Sequence, residues 1–152
     1  MTYTEQLQRI VDRYIAADQP WPATSRDVAR WALDAGEWRA QPADLVNQCA
    51  DQLSRAMREE YTVDPQGRTV RSKHAARMAD GSGGQTTLWA DIRTATPAHM
   101  EVAFQQRRQQ IVGDCRQLKA DVDSYNENAK PSRPLQLVLD FTFDVAELES
   151  AA

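Results

Sequence analysis

The sequence predicts a mainly α, α+β fold: three helices, a glycine-tipped β-hairpin, one long helix and a C-terminal β-strand. Three observations carry this. Apolar residues recur at helical spacing in four segments, prolines and glycines punctuate residues 61–92 where tight turns need them, and residues 135–145 alternate apolar with polar. With 152 residues, of which 41% are hydrophobic and 26% charged, the chain is long enough to bury a core without disulfides or metal.

The first helix is expected over about Thr4–Ala17. Leu7, Ile10, Val11 and Tyr14 form its stripe, and Thr2-x-x-Glu5 has the form of a capping box. Pro20 and Pro22 end it. The second helix starts at Thr24 as N-cap, with Asp27 near the positive end of the helix dipole. Val28, Trp31, Ala32 and Ala35 line it, and Gly36 suits the C′ position. Pro42 opens the third helix, whose apolar face is Leu45, Cys49, Leu53, Ala56 and Met57.

Strands follow. Tyr61-Thr62-Val63 leads into the turn Asp64-Pro65-Gln66-Gly67, Arg68–Met78 forms a second strand, Asp80–Gly84 a tip, and Gln85–Ile92 the return. Thr96 then caps a helix of about Pro97–Asn128, with Pro97 in its first turn. Phe104, Ile111, Leu118 and Tyr125 recur every seven residues, with Cys115 and Val122 between them and Arg108 breaking the seam. Leu135, Leu137, Leu139, Phe141, Phe143 and Val145 give the last element its period of two, which predicts a half-buried strand.

This order divides into a module over residues 1–95 and a C-terminal element over 96–152. The first holds 12 Lys/Arg against 13 Asp/Glu and the second 6 against 9, so any nucleic-acid contact must use a local patch. No apolar run reaches the roughly 20 residues of a membrane span, and the polar N-terminus is unlike a signal peptide. A cytoplasmic protein is expected, with Cys49 and Cys115 as small buried hydrophobes rather than a disulfide.

No catalytic apparatus is legible, and the chain is not expected to be an enzyme. No His/Cys/Asp cluster has metal-ligand spacing, and Gly81-Ser82-Gly83-Gly84 lacks the lysine and following helix of a phosphate-binding loop, so neither metal nor cofactor is expected. His74 and His99 are expected at the surface or as caps. Trp31 is assigned to the core, Trp21 and Trp38 to packing beside the second helix, and Trp89 to the strand face opposite Leu88 and Ile92.

Three helices followed by a glycine-tipped hairpin resemble the winged helix-turn-helix superfamily over residues 4–92. The whole chain also resembles a family of short uncharacterised bacterial proteins, through Arg58-Glu59-Glu60-Tyr61, the run from Gln105 to Ile111 and the run from Asp121 to Asn126. That second likeness implies no activity. The winged-helix resemblance implies that the third helix enters the major groove of double-stranded DNA while the hairpin touches phosphates. Asn47, Gln48, Gln52 and Arg55 have the chemistry to read base edges, although Asp44 and Asp51 on the same helix repel phosphates.

Arg68, Arg71, Lys73 and Arg77 fall in an acid-free stretch of the hairpin, and an extended strand points Arg71, Lys73 and Arg77 to one face. The bland reading of that row is a solvated face that blocks edge-to-edge aggregation. The long helix likewise has two readings. Its stripe of Phe104, Ile111, Cys115, Leu118, Val122 and Tyr125 either completes the core of its own chain or pairs with a second copy, and its length favours the homodimer. A DNA-binding or regulatory dimer is therefore the leading expectation. A protein-interaction adaptor on the same scaffold is the alternative.

Overall fold

The computed structural model describes residues 1–151, the Ala43 side chain excepted. The fold is α+β, with five helices and two antiparallel hairpin sheets. The chain divides into two compact units, Met1–Ser54 and Arg55–Ala152, with the boundary inside the third helix.

In the first unit, α1 (Tyr3–Ala16) begins with the expected capping box. Glu5 N–H donates to Thr2 Oγ1 at 3.1 Å, and Thr2 N–H to the Glu5 carboxylate at 2.6 Å. In α2 (Ser25–Asp34), Asp27 N–H donates to Thr24 Oγ1 at 3.1 Å. Gly36 takes φ +70°, which lets Glu37 N–H reach Ala32 O at 2.8 Å and Gly36 N–H reach Leu33 O at 3.2 Å, a Schellman ending. Ile10, Tyr14, Val28 and Ala32 form the core here, with Val11, Trp31 and Trp38 packed on it. Trp21 stands edge-on to Tyr14 at 6.3 Å but is itself exposed.

A 3₁₀ turn at Pro42–Asp44 precedes α3 (Leu45–Arg58). The helix is amphipathic as read, yet it buries none of its residues: Leu45 is 60%, Val46 77% and Leu53 57% exposed. Cys49 is exposed too, which corrects its reading as a buried hydrophobe.

The second unit holds both hairpins. β1 (Tyr61–Val63) pairs with β2 (Thr69–Arg71), and β3 (Lys73–Ala79) pairs with β4 (Gln85–Asp91). The single strand expected over Arg68–Met78 is broken at Ser72. That residue is 1% exposed, accepts from Ile92 N–H at 2.8 Å and donates its own N–H to Glu60 O at 2.9 Å, so it joins both hairpins by backbone. The turn before it is organised by Asp64, whose carboxylate accepts from the N–H groups of Gln66 and Arg68.

The long helix α4 (Pro97–Ala129) is capped by Thr96, whose Oγ1 accepts from His99 N–H at 3.2 Å. Its first turns pack on β3. His74 and His99 were expected at the surface or as caps; neither is at the surface, because both are buried. His99 Nε2 lies 2.8 Å from His74 O, and His74 Nε2 lies 2.8 Å from Arg71 O. Carbonyls only accept, so each ring carries a proton on Nε2. The His74 ring meets Phe104 edge-on at 5.3 Å.

The C-terminal strand expected over residues 135–145 is not formed. Residues 131–141 are non-regular and α5 (Thr142–Ala151) is helical. A period of two specifies a face, but a strand also needs a neighbour to satisfy its backbone. Asp140 instead accepts from Thr142 N–H at 3.1 Å, as residues ahead of a helix do.

Candidate nucleic-acid interface

The β3–β4 register sets which side chains share a face. Lys73 lies opposite Asp91, Ala75 opposite Trp89 and Arg77 opposite Thr87, and residues paired in this way point to the same side. His74 and Ala76 point to the other side and are buried. The outer face therefore carries Lys73, Arg77, Trp89 and Asp91, with the Arg58 guanidinium stacked over Trp89 at 5.7 Å.

The four basic hairpin residues are not equivalent. Arg68 is committed to its turn, with Nε 2.8 Å from the Asp64 carboxylate. Lys73 lies between Glu60 at 3.2 Å and Asp91 at 3.3 Å, and the Glu60 contact followed by the Asp91 contact raises its pKa. Asp91 also takes Arg93 at 2.7 Å, and chiefly that guanidinium holds its carboxyl far below the usual carboxylate range. Arg77 is exposed and has no carboxylate partner among the described residues.

Gln106 of α4 fixes the Arg77 backbone. Its amide accepts from Arg77 N–H and donates to Arg77 O, both at 2.8 Å, so the strand holds still beneath the guanidinium. Arg71 belongs to the other hairpin, across the Ser72 bend. Its Nε is buried without a hydrogen-bond partner, and its charge, like that of Arg107, opposes protonation of His74. The row of Arg71, Lys73 and Arg77 thus resolves into one neutralised lysine between two arginines without acidic partners among the described residues.

On α3 the amide and guanidinium groups are open. Asn47, Gln52 and Arg55 are exposed and Gln48 is half-buried. At 100° per residue Gln48, Gln52 and Arg55 share one face, while Asn47 falls beside Asp51 and Arg58. On α4, Phe104, Ile111, Leu118 and Tyr125 are each about half exposed, and Cys115 and Val122 are half-buried.

Charge is segregated more sharply than the halves 1–95 and 96–152 suggested. Residues 55–119 carry eleven Lys/Arg against seven Asp/Glu, whereas residues 1–54 carry five against eight and residues 120–152 two against seven. Gln106, Arg107 and Arg58 escaped sequence reasoning, since their partners are distant in sequence. The i,i+4 spacing of Asp64 and Arg68 was a local signal that could have identified that pair.

Among the described residues no group of three His, Cys, Asp or Glu side chains could hold a metal ion, and no helix is long and apolar enough to cross a membrane. The first unit has an apolar groove of about 520 Å³ between α1 and α2, lined by Leu7, Val11, Trp21, Val28, Leu33 and Trp38. No family model, curated protein or solved structure matches the chain.

Proposed function

We propose that the protein is a DNA-binding regulator of winged-helix type, acting as a cytoplasmic dimer through its C-terminal part and without catalytic or cofactor chemistry. The observation that carries this reading is the local excess of positive charge over residues 55–119, with Arg77 exposed on a face whose backbone Gln106 fixes. Phosphate oxygens need such positioned cations, and a positive patch on an acidic protein confines the attraction to one surface. Arg71 adds a second cation, and the open amide face of α3 supplies Gln48, Gln52 and Arg55 for base edges. The exposed seam of α4 supplies the dimer contact.

The test is an anisotropy titration with mixed-sequence duplex DNA at low salt. Binding should weaken for Arg77→Ala and further for Arg71→Ala with Arg77→Ala, and each lost phosphate contact should lower the salt slope by about one. Lys73→Ala should change affinity less, because its charge is already matched by Glu60 and Asp91. Absence of binding at about 50 mM salt overturns the reading.

One observation favours a protein-binding adaptor instead: the solvent-facing apolar side of α3. On that reading a nuclease-treated pull-down recovers a constant protein partner, and Leu53→Asp abolishes its capture. Recovery of nucleic acid alone counts against it.

A further inference from the structure

We propose that the acidic, aromatic segment Leu135–Ala151 of one copy docks on the basic-flanked seam of α4 in a second copy, reciprocally, so that each chain covers its partner's exposed apolar surface. This rests on the dimeric reading above and specifies how that dimer is built.

The two surfaces are complementary in hydrophobicity and charge. On α4, Ile111 and Leu118 are 52% and 44% exposed. At 100° per residue Arg108 falls within the seam, with Lys119 along one edge and Arg107 along the other. Between residues 104 and 118 the cations Arg107, Arg108 and Arg116 stand against a single acid, Asp114, while Lys119 is paired with Asp123 at 2.6 Å. The C-terminal segment is the converse. Phe143 is 78% and Leu148 74% exposed, and residues 135–151 hold Asp140, Asp144, Glu147 and Glu149 with no Lys or Arg.

Two further observations select this occupant. In a parallel pair of α4 helices, Arg108 would meet Arg108 at an interior seam position, a like-charge contact in a drying interface. The acidic segment supplies the opposite charge there. Its own chain leaves the seam and the segment both exposed, although the two are joined. The Asn126 amide donates to Leu135 O and accepts from Leu135 N–H, both at 2.9 Å, and this clamp fixes where the segment leaves α4. Seven non-regular residues and ten helical ones span up to about 38 Å, more than the roughly 21 Å from Phe104 to Leu118.

The experiment uses two full-length variants: a tail variant with Asp144→Lys, Glu147→Lys and Glu149→Lys, and a seam variant with Arg107→Glu, Arg108→Glu and Arg116→Glu. All six side chains are exposed, and far-UV circular dichroism checks that helix content is kept. Light scattering should find wild type as a dimer, each variant alone at half that mass, and their equimolar mixture restored to the dimer mass, because each reversed surface then meets its complement. A tail variant that stays dimeric overturns the docking while leaving the dimer and the DNA reading intact. A mixture that stays monomeric also overturns it, because the complementary surfaces then do not associate. A monomeric wild type overturns the docking together with the dimeric reading, whereas the DNA titration fails or succeeds separately.

Discussion

Where α1 meets α2, the contact is made by Ile10, Tyr14, Val28 and Ala32, and the Tyr14 hydroxyl donates to Pro20 O at 2.7 Å at its edge. Where β3 meets α4, the small side chains Ala76 and Ala103 are buried beside two histidines and a glutamine that bond backbone carbonyls. The first contact is non-directional and depends on apolar area. The second is directional: it fixes β3 against one register of α4, and any group left without its partner costs the whole desolvation of that group. The apolar pair provides stability, whereas the polar junction provides the fixed backbone on which Arg77 stands.

Breaking the apolar side should have the largest effect. Ile10→Ala removes a buried side chain from a small cluster and should cost about 2–4 kcal/mol, seen as a lower urea midpoint. The polar side is tested by His99→Phe, which keeps the ring's bulk and removes its donor. His74 O then loses its partner in a buried setting, and the cost should be about 1–3 kcal/mol. Trp89 is the only tryptophan beyond residue 54, so a variant that keeps it alone, with Trp21, Trp31 and Trp38 replaced by Phe, reports this loss separately. If His99→Phe is as stable as wild type, the β3–α4 contact is apolar in substance and the contrast drawn above collapses.

A smaller effect is expected at the helix starts. Thr24→Ala and Thr96→Ala each delete one side-chain acceptor for a backbone N–H and should cost about 1 kcal/mol in the same denaturation assay. Both caps were legible in the sequence because their partners lie three residues away. So was the Gly36 ending of α2, which one residue type at one position announces.

Long-range matters were not legible. The apolar stripe of α3 is real, but periodicity states which side chains share a face and not whether anything covers it. Residues 135–145 show the same gap, since alternation cannot supply a neighbouring strand. At the candidate interface Arg71 and Arg77 were readable as cations without nearby acids. The neutralisation of Lys73 by Glu60 and Asp91 required partners 13 and 18 positions away. His74 and His99 looked like isolated polar residues until the fold brought together a ring and a carbonyl 25 positions apart.

The buried His74 makes stability depend on pH. Burial first of all pushes the His74 pKa below its ordinary value of 6.5, and the charges of Arg107, Arg71 and His99 act in the same direction against the opposing Arg71 carbonyl. The folded value therefore lies below the unfolded one. As pH falls, the unfolded chain takes up the proton first, so stability held above about pH 6.5 declines as pH drops toward the folded value. The aspartates do not obscure this, because Asp64, Asp80, Asp91 and Asp140 all have lowered pKa values and titrate at more acid pH. The urea midpoint reported by Trp89 should be lower at pH 5.5 than at pH 7.5. His74→Gln, whose amide can still donate to Arg71 O, should flatten that dependence while keeping the junction. A slope unchanged by His74→Gln would assign the proton to another group and remove His74 from the polar side of the comparison.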